Sequence, residues 1–382
     1  MKSFIVIGAG ILGASTAYHL ARAGARVTII DREDTGRATD AAAGIICPWL
    51  TQRRNKPWYR LVKGGAAYYP ELVKMLEADG EEETGYAKVG AMLLHTKEDV
   101  VDKMVKRAAE RKPAAPEMGD VTRLTPEDVT ARFPVLAEKY SGVFVSGGAR
   151  VNGRLMRQAL INGANKHGAR FIKGDARIVY EETPPEKAAG AKVNGEMISA
   201  DGVIVTAGAW AREVLEEAGV PFQVSFQKAQ IVHLDLPDTE TGSWPVVMPP
   251  GRLYLLTFEE GRVVVGATHE DDTGFDPRVT AGGVQEVLSS GLSVAPGLTE
   301  ATLTETRVGF RPFTPNFLPV AGPVPGKEGL YAANGLGSSG LTSGPYLGAE
   351  LARKVLAKET ELNLDDYDIA SAIEGLEDRP NS

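Results

Sequence analysis

Cysteine is nearly missing from this sequence: among 382 residues, Cys47 is the one thiol. A single cysteine excludes an intrachain disulfide and any cysteine-cluster metal site, and it predicts a reducing compartment. Histidine is also scarce, with His19, His95, His167, His233 and His269 as the five, none at a metal-ligand spacing. His269-Glu270 lacks the second histidine of a zinc-binding helix. No G-x-S-x-G elbow occurs, which excludes a hydrolase of that kind. No apolar run approaches the about 18 residues of a membrane span. Positive charge is in deficit: the net charge is −8, and no basic run interleaves with aromatics, which argues against a nucleic-acid partner. The apolar start at 4–7 is too short for a signal peptide and runs straight into glycine. With 43% hydrophobic and 24% charged residues and no internal repeat, a soluble, cytoplasmic, two-domain protein is the expectation.

What the chain does have is glycine at telling positions. Residues 4–7 read as a buried parallel strand, followed by Gly8-Ala9-Gly10-Ile11-Leu12-Gly13 and a helix over about 12–23. A second strand over 26–30 ends in Asp31. Strand, G-x-G-x-x-G, helix, strand and acid together make the dinucleotide-binding fingerprint. Gly8 permits the tight turn, Gly10 lets backbone approach a pyrophosphate, and Gly13 lets the helix pack on the sheet. The helix N-terminus offers N–H groups and a positive dipole end to phosphate. Asp31 suits ribose hydroxyls and opposes a 2′-phosphate. Ala14, Ala17 and Ala21 fit a helix face pressed on a sheet.

The fingerprint alone does not choose between a nicotinamide and a flavin dinucleotide. After it comes Arg37-Ala38-Thr39-Asp40-Ala41-Ala42-Ala43-Gly44-Ile45-Ile46, a run of small residues where a nicotinamide enzyme would normally continue with another βαβ unit. Such a run suits backbone passing close to a flat ring, with Thr39 free to meet phosphate; a surface loop of small residues is the bland alternative. Near the C-terminus, a strand over 330–333 leads into Gly335-Leu336-Gly337-Ser338-Ser339-Gly340 and a helix over about 345–356. No further strand follows, so this second glycine motif closes no βαβ unit. It still makes an anion cradle, suited to the negative charge that reduction places on the pyrimidine end of an isoalloxazine.

In this order and spacing, the two glycine motifs, the small-residue run, Gly202-Val203-Ile204-Val205-Thr206-Ala207-Gly208-Ala209-Trp210 and Gly309-Phe310-Arg311-Pro312 resemble the D-amino-acid oxidase and glycine oxidase family of FAD-dependent oxidoreductases over nearly the whole chain. The resemblance implies that Ile11, Leu12, Asp31 and Arg32 meet the adenosine and pyrophosphate. It places Ala38, Thr39, Ala43, Gly44 and Ile45 along the flavin or pyrophosphate, and Arg177, by its backbone, at the adenine. Ala207 and Gly208 flank the cofactor, and Leu336, Gly337, Ser338, Ser339, Gly340, Leu341 and Thr342 cap the pyrimidine end. Arg311 of the G-x-R-P motif is the family's substrate-carboxylate arginine, a role that the planar guanidinium fits. The bland alternative is an arginine paired with an acid at the domain junction. Tyr254, after Pro249-Pro250-Gly251, matches a substrate-side tyrosine of relatives and equally fits a half-buried strand. Two departures stand out: Ser338 lies where some relatives carry a second arginine, and Asn316 where many carry aspartate. Cys47 lies away from the segment where some relatives attach flavin, so the FAD is expected to be non-covalent.

The implied reaction is hydride transfer from the α-carbon of a small amine or amino acid (glycine, sarcosine or D-amino-acid class) to flavin N5, without a side-chain base, followed by reoxidation by oxygen or an electron carrier. Two alternatives stay open on the residues: an NAD-dependent dehydrogenase using the first fingerprint alone, and a non-catalytic or electron-transfer subunit. The expected fold is α/β: a discontinuous Rossmann-type FAD domain (1–84, 146–222, 306–382) with a mixed-sheet α+β substrate domain (85–145, 223–305). Within the latter, 86–95 reads as a strand pair, Thr96 as a helix cap with Asp99 at the capping-box position, and Thr125-Pro126-Glu127-Asp128 as a second helix start. Strands are expected over 229–234 and 262–267, and the acidic tail after about 362 reads as loose. Oligomeric state is not set by these patterns.

Overall fold

In the computed structural model, which describes residues 1–181 and 186–375, the apolar run at the N-terminus forms the strand Ser3–Ile7 in the middle of a sheet. Every residue of this strand is buried. Phe4 and Val6 point to one face, and Ile5 and Ile7 to the other. That two-sided burial is what a central parallel strand requires. Its parallel neighbours are Arg26–Asp31 and Gly202–Val205. Arg170–Lys173 and Leu330–Asn334 extend the parallel sheet, and antiparallel Val320–Pro323 closes one edge. This is the Rossmann-type sheet of an α/β protein.

One face is covered by the helices Ile11–Arg22, Gly153–Lys166 and Gly340–Val355, with the long helix Lys56–Ala78 packed outside them. The other face carries a three-stranded antiparallel sheet over 176–199 and the short helix Ala211–Glu217. The tail does not hang free. Leu362, Leu364, Tyr367 and Ile369 are buried, the Leu362 amide donates to the buried carboxylate of Glu350, and the Tyr367 hydroxyl donates to the Pro57 carbonyl. The expectation of a loose tail thus fails over 362–373, where alternating apolar residues supply a core contact; 376–382 lie outside the described residues.

The second sheet has eight strands in mixed order, running from Thr302–Phe313 and Ser225–Asp235 through Arg262–Gly266, Tyr254–Thr257 and Val246–Met248 to Ala91–His95, Ser141–Val145 and Val121–Leu124. One face packs on the helices Pro126–Arg132 and Ala281–Val294. The long strand Thr302–Phe313 belongs wholly to this sheet, so the boundary expected at 306 falls inside a continuous strand. The Thr125–Asp128 capping box is present. The helix expected from Thr96 instead starts at Glu98 with Lys97 as an uncapped N-cap, and of 86–95 only Ala91–His95 is a strand.

The last helix begins at Gly340, five residues earlier than its pattern suggests, and takes Pro345 inside it. Proline has no N–H, so the Leu341 carbonyl one turn back loses its helical donor. The buried Tyr69 hydroxyl donates to that carbonyl, joining the long helix to the glycine-rich turn. Tyr69→Phe strands the Leu341 oxygen without a partner. Chemical unfolding followed by circular dichroism should therefore show a loss of about 1–3 kcal/mol, the cost of a buried unsatisfied acceptor.

Candidate active site

The N-terminal turn, the small-residue run, the strand end after Val205 and the C-terminal glycine turn surround one elongated cavity between the two sheets. At its centre, Gly8 adopts φ +96°, and a Cβ there would stand 2.7 Å from the Ala207 Cα. Only glycine meets both conditions. Gly13 is not in the wall; a Cβ on it would lie 1.9 Å from the Gly8 carbonyl oxygen, so it serves helix–strand packing. Gly10, Ile11 and Leu12 line the cavity where the helix begins, and the Gly10 N-cap has no side-chain partner of its own. The Thr39 hydroxyl accepts from the Ile11 amide at 2.9 Å, tying the small-residue run to the helix start. Ala38, Thr39, Ala43, Gly44 and Ile45 form the adjoining wall, with Ala38–Ala41 coiled as one short helical turn.

Asp31 is buried and both its oxygens are engaged: one accepts from the Ala9 amide, the other from Glu33 N, with Arg37 at 3.5 Å. Arg32 sits at the cavity rim in a network with Asp34, Asp175 and Glu213. Gly174, Asp175 and Ala176 complete this end. Arg177 does not: on an edge of the small antiparallel sheet, its side chain is exposed beside Glu217 and it is absent from the lining. Side chains alternate along the strand, so the Arg177 side chain points away from the cavity that Ala176 lines.

At the opposite end, Ala207, Gly208, Leu336, Gly337, Ser338, Gly340 and Leu341 line the wall. Ser339 and Thr342 face away: Ser339 accepts from Trp58 Nε1 at 3.2 Å, and Thr342 donates to the Ile45 carbonyl at 2.9 Å. Asn316 lies outside the lining, on an exposed turn with φ +58°. Further lining residues are Trp210, at the end of the Gly202–Trp210 motif, and Phe310, beside Arg311. Arg157, a buried helix residue donating to the Ala9 carbonyl, carried no pattern that would flag it.

Tyr254 and Arg311 meet across the roof of the cavity. Arg311 pairs in register with Gln227, and its Nη1 donates to the Gln227 Oε1 at 3.4 Å. Burial raises the Tyr254 phenol pKa above its ordinary value, while the adjoining guanidinium pulls partly back. Among the described residues Arg311 forms no ion pair with a carboxylate. His269 lies in the same field: burial first, then Arg311 and Arg252, hold its pKa below the usual imidazole value. It is neutral at pH 7.

The family model described as "FAD dependent oxidoreductase" (DAO) matches residues 3–354. The chain belongs to the DAO family. It is 59% identical over 374 residues to an uncharacterized oxidoreductase, YurR, of Bacillus subtilis (strain 168), covering 98% of this chain and all of that protein. The solved structure of iminodiacetate oxidase from Chelativorans sp. BNC1 superposes with a TM-score of 0.91 at 45% identity, covering 96% of this chain and 98% of that one. Glycine oxidase from Geobacillus kaustophilus gives 0.85 at 25% identity, covering 97% and 99%. As a DAO-family member, the chain is an FAD-dependent oxidoreductase of the D-amino-acid oxidase and glycine oxidase type, and a nicotinamide enzyme built on the first fingerprint is set aside. The residues fit FAD: two glycine turns with helix N-termini, a wall of small side chains between them, and an acid at the second strand end. The cofactor is bound without a covalent link, and burial pushes the Cys47 thiol up to about 12, which keeps it protonated. Among the described residues no helix is long and apolar enough to cross a membrane.

Asp31→Ala removes the acceptor of the Ala9 amide at the phosphate turn. A flavin fluorescence titration should show FAD held roughly 10- to 100-fold more weakly, matching about 1.5–3 kcal/mol for a hydrogen bond to a charged group.

Proposed function

We propose that the chain oxidises the Cα–N bond of a small amino acid or carboxylate-bearing amine of the glycine, sarcosine or D-amino-acid class, with Arg311 binding the substrate carboxylate. The observation that carries this reading is the uncompensated guanidinium of Arg311 in the cavity roof, held by Gln227 and Tyr254 and by no acid among the described residues. A structural arginine at a domain junction would have its counter-ion in the fold, since a half-buried unpaired cation is costly. A carboxylate ligand supplies one, and a planar guanidinium grips it in two places. The names of two similar proteins, iminodiacetate oxidase and glycine oxidase, support the same class, since both are named for small amino acids with a carboxylate near the amine.

Each wall then takes a task. Gly8, Gly10, Ile11, Leu12 and Thr39 hold the pyrophosphate, and Asp31 and Arg32 order the ribose end. Ala43, Gly44, Ile45, Ala207 and Gly208 leave room for the ring, while the turn from Leu336 to Leu341 offers backbone N–H groups at its far end. Gly13, Ser339 and Thr342 support these from behind, and the Arg177 side chain has no direct role. Residues 1–84, 146–222 and the chain from about 314 onward form the cofactor unit; 85–145 and 223–313 form the substrate unit. FAD, when bound, supplies the two-electron acceptor.

Tyr254 closes the carboxylate pocket against solvent and positions Arg311. With its pKa raised, the phenol stays protonated at neutral pH and donates to the substrate acid. When the amine enters neutral, the hydride leaves Cα without a side-chain base, and the roof supplies position and charge. Ser338 is exposed and too short to act as a second clamp. Reoxidation by oxygen or by an electron carrier completes the cycle.

Anaerobic titration with glycine, sarcosine, iminodiacetate, proline and D-amino acids should bleach the flavin band near ~450 nm with at least one of them, the signature of reduction. Arg311→Gln should raise the concentration needed about 30-fold or more, in line with roughly 2–5 kcal/mol for truncating a buried charge pair. If an amine lacking a carboxylate bleaches equally well and Arg311→Gln changes nothing, the assignment is wrong.

A further inference from the structure

Outside the cofactor cavity, positive charge collects in a second cavity. The chain after Ile45–Ile46 forms a loop before the helix Lys56–Ala78, and the two enclose a cavity of about 640 Å³ with the last turns of the helix Glu98–Arg111. The loop contributes Arg53 and Arg54. The long helix adds Lys56, Arg60 and Lys63, and the facing helix adds Arg107 and Arg111. Glu110 is the one acid among the described lining residues. In a chain of net charge −8, this concentration is no average surface.

Compensation is thin. Arg60 pairs with Asp366, but the other anchored cations donate to main-chain carbonyls, which hold position without cancelling charge. Arg111 reaches the carbonyls of Trp49 and Thr51, Lys63 that of Ala114, and Arg53 that of Phe317. The side chains of Arg54, Lys56 and Arg107 have no hydrogen-bond or ion-pair partner among the described residues, and Arg107 Nη1 is buried without an acceptor. A buried donor left unpaired is costly, and a bound oxyanion would supply its acceptor.

Helix electrostatics explain only part of the cluster. Arg107 and Arg111 lie near a helix C-terminus, where the dipole favours cations. Lys56 and Arg60 lie at the N-terminus of a 23-residue helix whose first turn holds no acid, where the dipole disfavours them. Asn55 already caps the Trp58 amide and Pro57 has no N–H, so the side-chain cations, not open helix amides, are what this end offers a ligand, and cations placed against the dipole are useful when an anion joins them.

We propose that this cavity is a second anion-binding site, separate from Arg311, taking a small oxyanion with two or more negative charges, either a polycarboxylate or a phosphate. Arg107 Nη1 supplies the buried donor, and Arg54 and Lys56 close the mouth. The site abuts the cofactor turn: the Arg53 guanidinium lies 4.3 Å over Trp58, whose Nε1 donates to the Ser339 hydroxyl.

Isothermal titration calorimetry of the FAD-loaded protein at fixed ionic strength, with citrate and with pyrophosphate as probes, tests the site. Saturable binding of one or both is expected, weakened about tenfold or more in Arg107→Gln and in the surface double variant Arg54→Gln/Lys56→Gln, and unchanged in Arg311→Gln. Preference for citrate identifies a polycarboxylate as the occupant, and preference for pyrophosphate a phosphate. The proposal is overturned if neither probe binds at millimolar concentration, or if binding survives both cavity variants, or if it vanishes with Arg311→Gln.

Discussion

The amide of Ala9 donates to the Asp31 carboxylate while its carbonyl accepts from Arg157. One residue of the first turn thereby fixes the end of the second strand on one side and a third element, the helix Gly153–Lys166, on the other. Both bonds involve a charged partner and are buried, the situation in which hydrogen bonds contribute most and are most costly to lose. The same turn carries Gly8 at positive φ and the close approach of the helix at Gly13, and the Thr206 hydroxyl donates to the Gly8 carbonyl from the neighbouring strand end. The shape of this end of the cavity follows from this clamp.

That clamp was only half legible in the sequence. Asp31 is found by counting from the glycines, because the fingerprint is local and its spacing carries the geometry. Arg157 belongs to a helix more than a hundred residues later, and an arginine on a buried helix face looks like any surface arginine until the fold is known. The same contrast holds in the roof. The Gly309–Pro312 motif marked Arg311, but the absence of an acid beside it among the described residues depends on the pairing of Arg311 with Gln227 across strands 84 residues apart. Periodicity reads what neighbours along the chain decide. It does not read which side chains a non-local register brings together.

The failures have physical reasons of the same kind. Pro345 suggested a helix start, since proline is welcome in the first turn. The helix nevertheless runs through it, because Tyr69, from a helix nearly three hundred residues away, satisfies the carbonyl that the proline orphans. The acidic tail looked too polar to pack, yet its few apolar residues meet the core while Glu350, itself buried, caps the Leu362 amide. In each case a tertiary hydrogen bond overrides a local preference.

How the two halves of the site keep their separation is a matter of backbone. The strand Thr302–Phe313 is one edge of the eight-stranded sheet, and near its end the Phe310 amide donates to the Gly36 carbonyl at 2.9 Å, with Phe310 bridged to Arg37. Arg37 in turn pairs with Asp40 and approaches Asp31, the residue holding the phosphate turn. Arg311, the next residue along the strand, is therefore placed by main-chain bonds to the very segment that lines the cofactor cavity, not by a flexible side-chain contact. A carboxylate bound at Arg311 as proposed would inherit that registration. An orientation set in this way requires little further ordering when substrate arrives, which is where positioning contributes most to rate.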